Sequence, residues 1–126
     1  MRRAVGIAAV AILIFDVVWP LAYRALPARR DELAVGLTIV SLAIAFTAGL
    51  MIVRHASVRA ATVAAGMLGA LDATVGWAIS LKLAPDLQDG PLAIQSVLST
   101  IVAVVLFYAV LGFVGAVVGR RLRQAP

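Results

Sequence analysis

Four apolar stretches, each long enough to cross a bilayer as a helix, follow one another through almost the whole chain. They cover residues 4–26, 33–53, 60–83 and 94–119. A helix rises about 1.5 Å per residue, so roughly 20 residues cross a hydrocarbon core about 30 Å thick. Spanning strands would show segments of about ten residues alternating in polarity, and none is present. In hydrocarbon every backbone polar group must be satisfied internally, which leaves helices as the spanning element. The prediction is an all-α transmembrane four-helix bundle made of two hairpins, with residues 1–126 as a single domain. Composition agrees: 63% of residues are hydrophobic and 13% charged, against about half and about a quarter in soluble domains.

The connections are short and carry most of the charge. Arg24 to Glu32 contains Pro27 and mixed charges, and Arg54 to Arg59 is basic. Lys82 to Pro91 has two prolines, a glycine and two aspartates, which is turn chemistry. Arg2 and Arg3 before an apolar run could announce a signal peptide, but Asp16 and Pro20 interrupt that run, so a retained helix is expected. With both termini cytoplasmic, seven basic residues lie inside (Arg2, Arg3, Arg54, Arg59, Arg120, Arg121, Arg123). Four lie outside (Arg24, Arg29, Arg30, Lys82). That bias sets the expected orientation.

Several functions are set aside by what the chain lacks. It has no cysteine and one histidine, His55, so no thiolate site and no imidazole pair is available. No nucleophile–base pair, metal cluster or phosphate loop is recognisable, so neither an enzyme nor a metal or cofactor is expected. The net charge of +5 resides at segment ends, where lipid headgroups account for it better than nucleic acid.

Chemistry concentrates in two acids, Asp16 and Asp72, near the centres of the first and third stretches. Those helices run in the same direction, so both carboxyls are expected at similar depth. A carboxylate there costs about 2.5–3.5 kcal/mol on insertion scales, so it should face protein or a water-filled cavity. Ala65, Gly69, Asp72 and Gly76 share one face at α-helical spacing, and small residues there admit a second backbone. Pro20, four residues after Asp16, has no N–H to offer the Asp16 carbonyl. Ser41, Thr74 and Tyr108 are candidate partners on other segments, with Trp77 beside them. Gly115 and Gly119 form a GxxxG pair suited to close crossing, either within the bundle or in a homo-oligomer. The two halves also echo each other, Asp16/Trp19 with Asp72/Trp77 and Gly49…Arg54 with Gly115…Arg120, as a duplicated hairpin would.

Two readings follow. In the first the aspartates are interhelical hydrogen-bond clamps in a membrane protein of structural or accessory role, with the lipid bilayer as its surroundings. In the second, Asp16 and Asp72 form the site of a minimal proton- or cation-coupled transporter or channel.

The run AGLMIVRHASVRAATVAAGMLGALDATVGWAIS, residues 48–80, resembles small uncharacterised bacterial four-helix integral membrane proteins. These join a Gly-ended helix to a small-residue-rich one through a basic turn. The resemblance implies a multi-pass protein of the bacterial cytoplasmic membrane and no particular activity. In size, helix count and a helix 1 acid the chain is also similar to small multidrug-resistance antiporters, whose acid binds protons or cationic drugs. Only Asp16 corresponds to that acid. The second acid, Asp72, and the lack of that family's Trp-Ser-Gly element in the third helix depart from the pattern.

Overall fold

The computed structural model describes residues 1–83 and 94–124. In chain order it contains α1 (Arg2–Ala25), a 3-10 turn (Pro27–Arg29), α2 (Arg30–Ile52), α3 (Val58–Leu71), a π-helical turn (Asp72–Gly76), α4 (Trp77–Leu83) and α5 (Ile94–Gln124). α3, the π turn and α4 form one rod, Val58–Leu83. The protein is all-helical among the described residues, with four helices long and apolar enough to cross a membrane. The turn expected over 84–91 lies outside the described residues.

Four helix ends extend past the apolar stretches, the first being α1, which begins at Arg2. α2 begins three residues before 33 and takes Asp31 and Glu32 into its first turn, where acids complement the helix dipole. The third rod starts at Val58 because Ser57 caps it, its Oγ accepting from the Ala60 N–H at 3.2 Å. α5 runs on to Gln124 through Arg120, Arg121 and Arg123, since arginine favours helix and a cation suits the helix C-terminus. At the far end, Arg24 Nη1 donates to the Leu83 carbonyl at 2.8 Å and ties α1 to the end of α4.

Large apolar side chains point outward and small ones inward. Ile7, Ile14, Ile39, Met67, Leu98, Leu106 and Val110 are exposed. Ala45, Ala61, Ala65 and Ala116 are fully buried, and the largest fully buried side chains are only Ile12, Pro20 and Ile52. Helices that gain nothing from leaving water associate through close contact, and small residues permit it. The backbones therefore approach at glycine. A Cβ on Gly49 would strike the backbone of Gly112, and one on Gly115 the Phe46 carbonyl oxygen. One on Gly119 would lie 2.9 Å from Val53 Cγ1. Gly115 and Gly119 thus serve α5 against α2 inside the chain. Pairing of Ala45 with Gly112 and Val53 with Gly119 shows that α2 and α5 run in the same direction. Ala65 meets Gly112 and Gly69 meets Tyr108, so α3 runs against α5.

Gly112, which sequence spacing did not single out, is where α2, α3 and α5 converge. It falls on the face shared by Gly115 and Gly119, which is the signal that marks it. The two hairpins are not packed alike: α5 contacts both α2 and α3 along much of its length, and α1 touches its neighbours more lightly.

Candidate functional site

The buried residues of α1 are Ala4, Ala8, Ile12, Asp16 and Pro20, a ladder at every fourth position. That stripe carries Asp16 inward with its apolar neighbours, leaving it 8% exposed. Pro20 leaves the Asp16 carbonyl without its helical donor. The Ser80 hydroxyl of α4 replaces that donor, reaching the Asp16 carbonyl oxygen at 3.4 Å. Ser80 was not among the residues expected in the site. Its signal was positional: eight residues beyond Asp72, it lies just over two helical turns farther along the same rod.

The Asp16 carboxyl rests directly on Gly76, where any Cβ would occupy the position of its Oδ2. Gly69, by contrast, faces α5, and a Cβ there would lie 2.7 Å from Tyr108 Cβ. Uniform α-helical spacing puts the two glycines on one face; the π turn separates them. The Trp77 N–H bonds to the Asp72 carbonyl five residues back, so the turn holds the equivalent of one extra residue. One residue rotates the following helix by about 100°. Gly76 is thereby turned away from α5 and toward α1. This corrects the single-face strip expected for Ala65, Gly69, Asp72 and Gly76.

Asp72, half-buried at the head of the π turn, sets its carboxyl beside that of Asp16 and near the Tyr108 hydroxyl. Tyr108 is 3% exposed, so its side chain lies in the interior beside the acids. Two ionised carboxylates only accept hydrogen bonds. Without a proton on one of them the pair cannot bond, and among the described residues Asp16 Oδ2 is buried with no donor.

Beside the acids lies a cavity of about 360 Å³, many times what a single water needs. Its walls include Asp16, Asp72, Ser41, Ser80, Thr100, Phe15, Trp19 and Trp77. Phe15 and Trp19 are in ring contact at 5.9 Å, and Trp19 and Tyr23 continue the row at 6.1 Å. The lining residues come from 15–19, 37–41, 72–81 and 100–104, so the cavity occupies the half of the bundle toward the Pro27–Arg29 turn. In the opposite half Ile12, Ala48, Ile52, Ala61, Leu68 and Ala116 form a buried apolar core.

Of the residues expected in the site, Asp16, Asp72, Ser41 and Trp77 line the cavity and Tyr108 stands behind Asp72. Thr74 does not join them. It is exposed, and its Oγ1 donates to the Ala70 carbonyl of its own helix at 2.6 Å. A hydroxyl in a helix can always reach the carbonyl one turn back, and on an outward face nothing competes for it. Trp19, Ser80 and Thr100 are the additional members. Among the described residues no three of His, Cys, Asp and Glu lie close enough together to hold a metal ion.

The fold and site define a class: an all-helical bundle of four helices with membrane-spanning length and an acid pair in the wall of a half-open cavity. Comparison with protein-family models, with curated proteins and with solved structures finds no match for this chain.

Proposed function

We propose that the protein is a multi-pass protein of the bacterial cytoplasmic membrane that moves protons or small cations, using Asp16 and Asp72 as the binding pair. The observation that carries this reading is a cavity with both carboxyls in its wall, set in the half of the bundle toward the Pro27–Arg29 turn, with a buried apolar core in the other half. Transporters place ionisable groups at mid-membrane depth between helices, where only protein or an aqueous cavity can receive them. Among the described residues no basic side chain lines this cavity. The species that neutralises the pair must therefore come from solution, as a proton or a cation.

Liposomes holding the purified protein test the proposal, with proton or cation flux as the readout. Wild type carries flux, and Asp16→Asn and Asp72→Asn each reduce it to the level of empty liposomes. Asn keeps an acceptor and gains donors, so it can hold the helix contact, but it has no proton to exchange. Absence of flux in wild type removes the transport reading.

The second reading, a structural or accessory role, is supported by the chain of contacts Asp16–Asp72–Tyr108, which joins α1, the third rod and α5. A clamp of that kind survives Asn substitution, because a single interhelical hydrogen bond in a membrane averages about 0.6 kcal/mol. Silent liposomes together with undisturbed melting of both Asn variants favour it.

Both termini are assigned to the cytoplasm on the seven-to-four excess of basic residues. The cavity then faces outward. Reporter fusions at the C-terminus and within 85–90 check this: cytoplasmic activity is expected at the first and periplasmic activity at the second. The reverse pattern overturns the orientation.

A further inference from the structure

A second cavity, of about 440 Å³, lies at the other end of the bundle, between the α2–α3 turn and the last turns of α5. Arg54, Ser57, Val58, Gly119, Arg120 and Arg123 are among its walls. Three arginines from two separate segments line it. Close packing of Gly119 on Leu50 and Val53 brings the end of α5 against the turn. Arg123 Nη1 donates to the Arg54 carbonyl at 3.3 Å, which holds that side chain across the turn.

Among the described residues no acidic side chain pairs with these arginines. The six acids stand at positions 16, 31, 32, 72, 86 and 89, none of them in 53–58 or 119–124. The single ion pair among the described residues, Arg29 with Glu32, lies at the opposite end. The third rod also begins in this cavity. Ser57 satisfies the Ala60 and Ala61 N–H groups, and the Val58 and Arg59 N–H groups have no acceptor within the helix. A helix N-terminus and several guanidinium forks together suit a tetrahedral oxyanion, since each fork can grip two oxygens.

We propose that this cavity binds the phosphate of an anionic lipid headgroup. Lipid is the source favoured by position. The cavity adjoins Val53 and Val58 at the ends of apolar helices, the level at which headgroup phosphates lie when the bundle spans a bilayer. The inference rests on that membrane-spanning reading and is independent of transport. Free inorganic phosphate offers the same chemistry from solution.

The test uses nanodiscs of phosphatidylcholine containing the full chain and a trace of spin-labelled lipid. Co-elution of the protein with nanodiscs reports on membrane insertion separately; failure to insert overturns both readings. In inserted protein, phosphatidic acid is expected to be preferred over phosphatidylcholine by roughly thirtyfold. In the Arg54→Gln/Arg120→Gln double variant the preference falls to within about threefold of unity. Arg2→Gln/Arg3→Gln removes equal charge outside the cavity and retains most of it. Arg54→Lys/Arg120→Lys keeps charge and helix propensity and gives an intermediate value, because an ammonium cannot fork two oxygens. Equal loss in the two Gln variants, or none in Arg54→Gln/Arg120→Gln, overturns the site. Loss of the wild-type preference on adding excess inorganic phosphate overturns lipid as the source.

Discussion

Gly49→Ala lowers the melting midpoint of the detergent-solubilised protein by about 10 °C, the shift that about 3 kcal/mol of overpacking produces in a small domain. The added Cβ would lie 2.8 Å from the Gly112 Cα and closer still to its carbonyl, where real Cβ atoms do not go below 3.0 Å. Neither atom can yield by changing a rotamer, because both belong to the backbone. α2 and α5 must separate, and Phe46, which meets Gly115 on the same seam, separates with them. Gly112→Ala is comparably severe, since its Cβ would enter the space of the Ala65 Cβ on α3. Gly6→Ala and Gly36→Ala are the controls. No atom lies within 4 Å of a Cβ at either position, and alanine improves helix propensity by about 1 kcal/mol over glycine. Both controls melt at or above the wild-type temperature. If Gly49→Ala melts with the controls, the α2–α5 crossing is not as close as described.

Gly76→Ala abolishes flux while costing much less stability than Gly49→Ala. The new methyl occupies the site of the Asp16 carboxyl, which is the end of a side chain and can swing away. The helices stay in place, but Asp16 leaves Asp72, and the pair proposed to bind the proton or cation is broken. Gly69→Ala separates position from size, because its methyl presses on Tyr108 Cβ at 2.7 Å rather than on either acid. It should lower the melting midpoint yet retain measurable flux. Flux in Gly76→Ala equal to wild type would show that the two carboxyls need not meet.

Helix number and approximate extent were legible in the chain because membrane crossing sets a length and a polarity that local sequence must supply. The inward face of α1 was not legible in the same way: Ala4, Ala8, Ile12 and Asp16 repeat at helical spacing, but so do the exposed Val10, Ile14 and Val18, and packing selects between them. The exposed carbonyl of Asp16 does follow from local chemistry, because Pro20 removes its donor whatever the surroundings. Which group answers that carbonyl did not follow. Ser80 is 64 residues away, and no local rule pairs the two. Thr74 illustrates the converse: its residue type and depth suited the site, and its azimuth on the helix excluded it.

That azimuth depends on the π turn at Asp72–Gly76. A π turn exchanges ordinary helical hydrogen bonds for a wider loop and is stable only where neighbouring helices compensate. Here Gly69 must fit Tyr108 on α5 while Gly76 must fit Asp16 on α1, and straight α-helical spacing cannot direct both. The sequence by itself determined the helices, the depth of the acids and the broken hydrogen bond at Asp16. The meeting of Asp16 with Asp72, the cavity beside them and the convergence of Arg54, Arg120 and Arg123 were decided by tertiary structure. Each depends on the rotation of one helix against another, and that is set by which small residues let backbones touch.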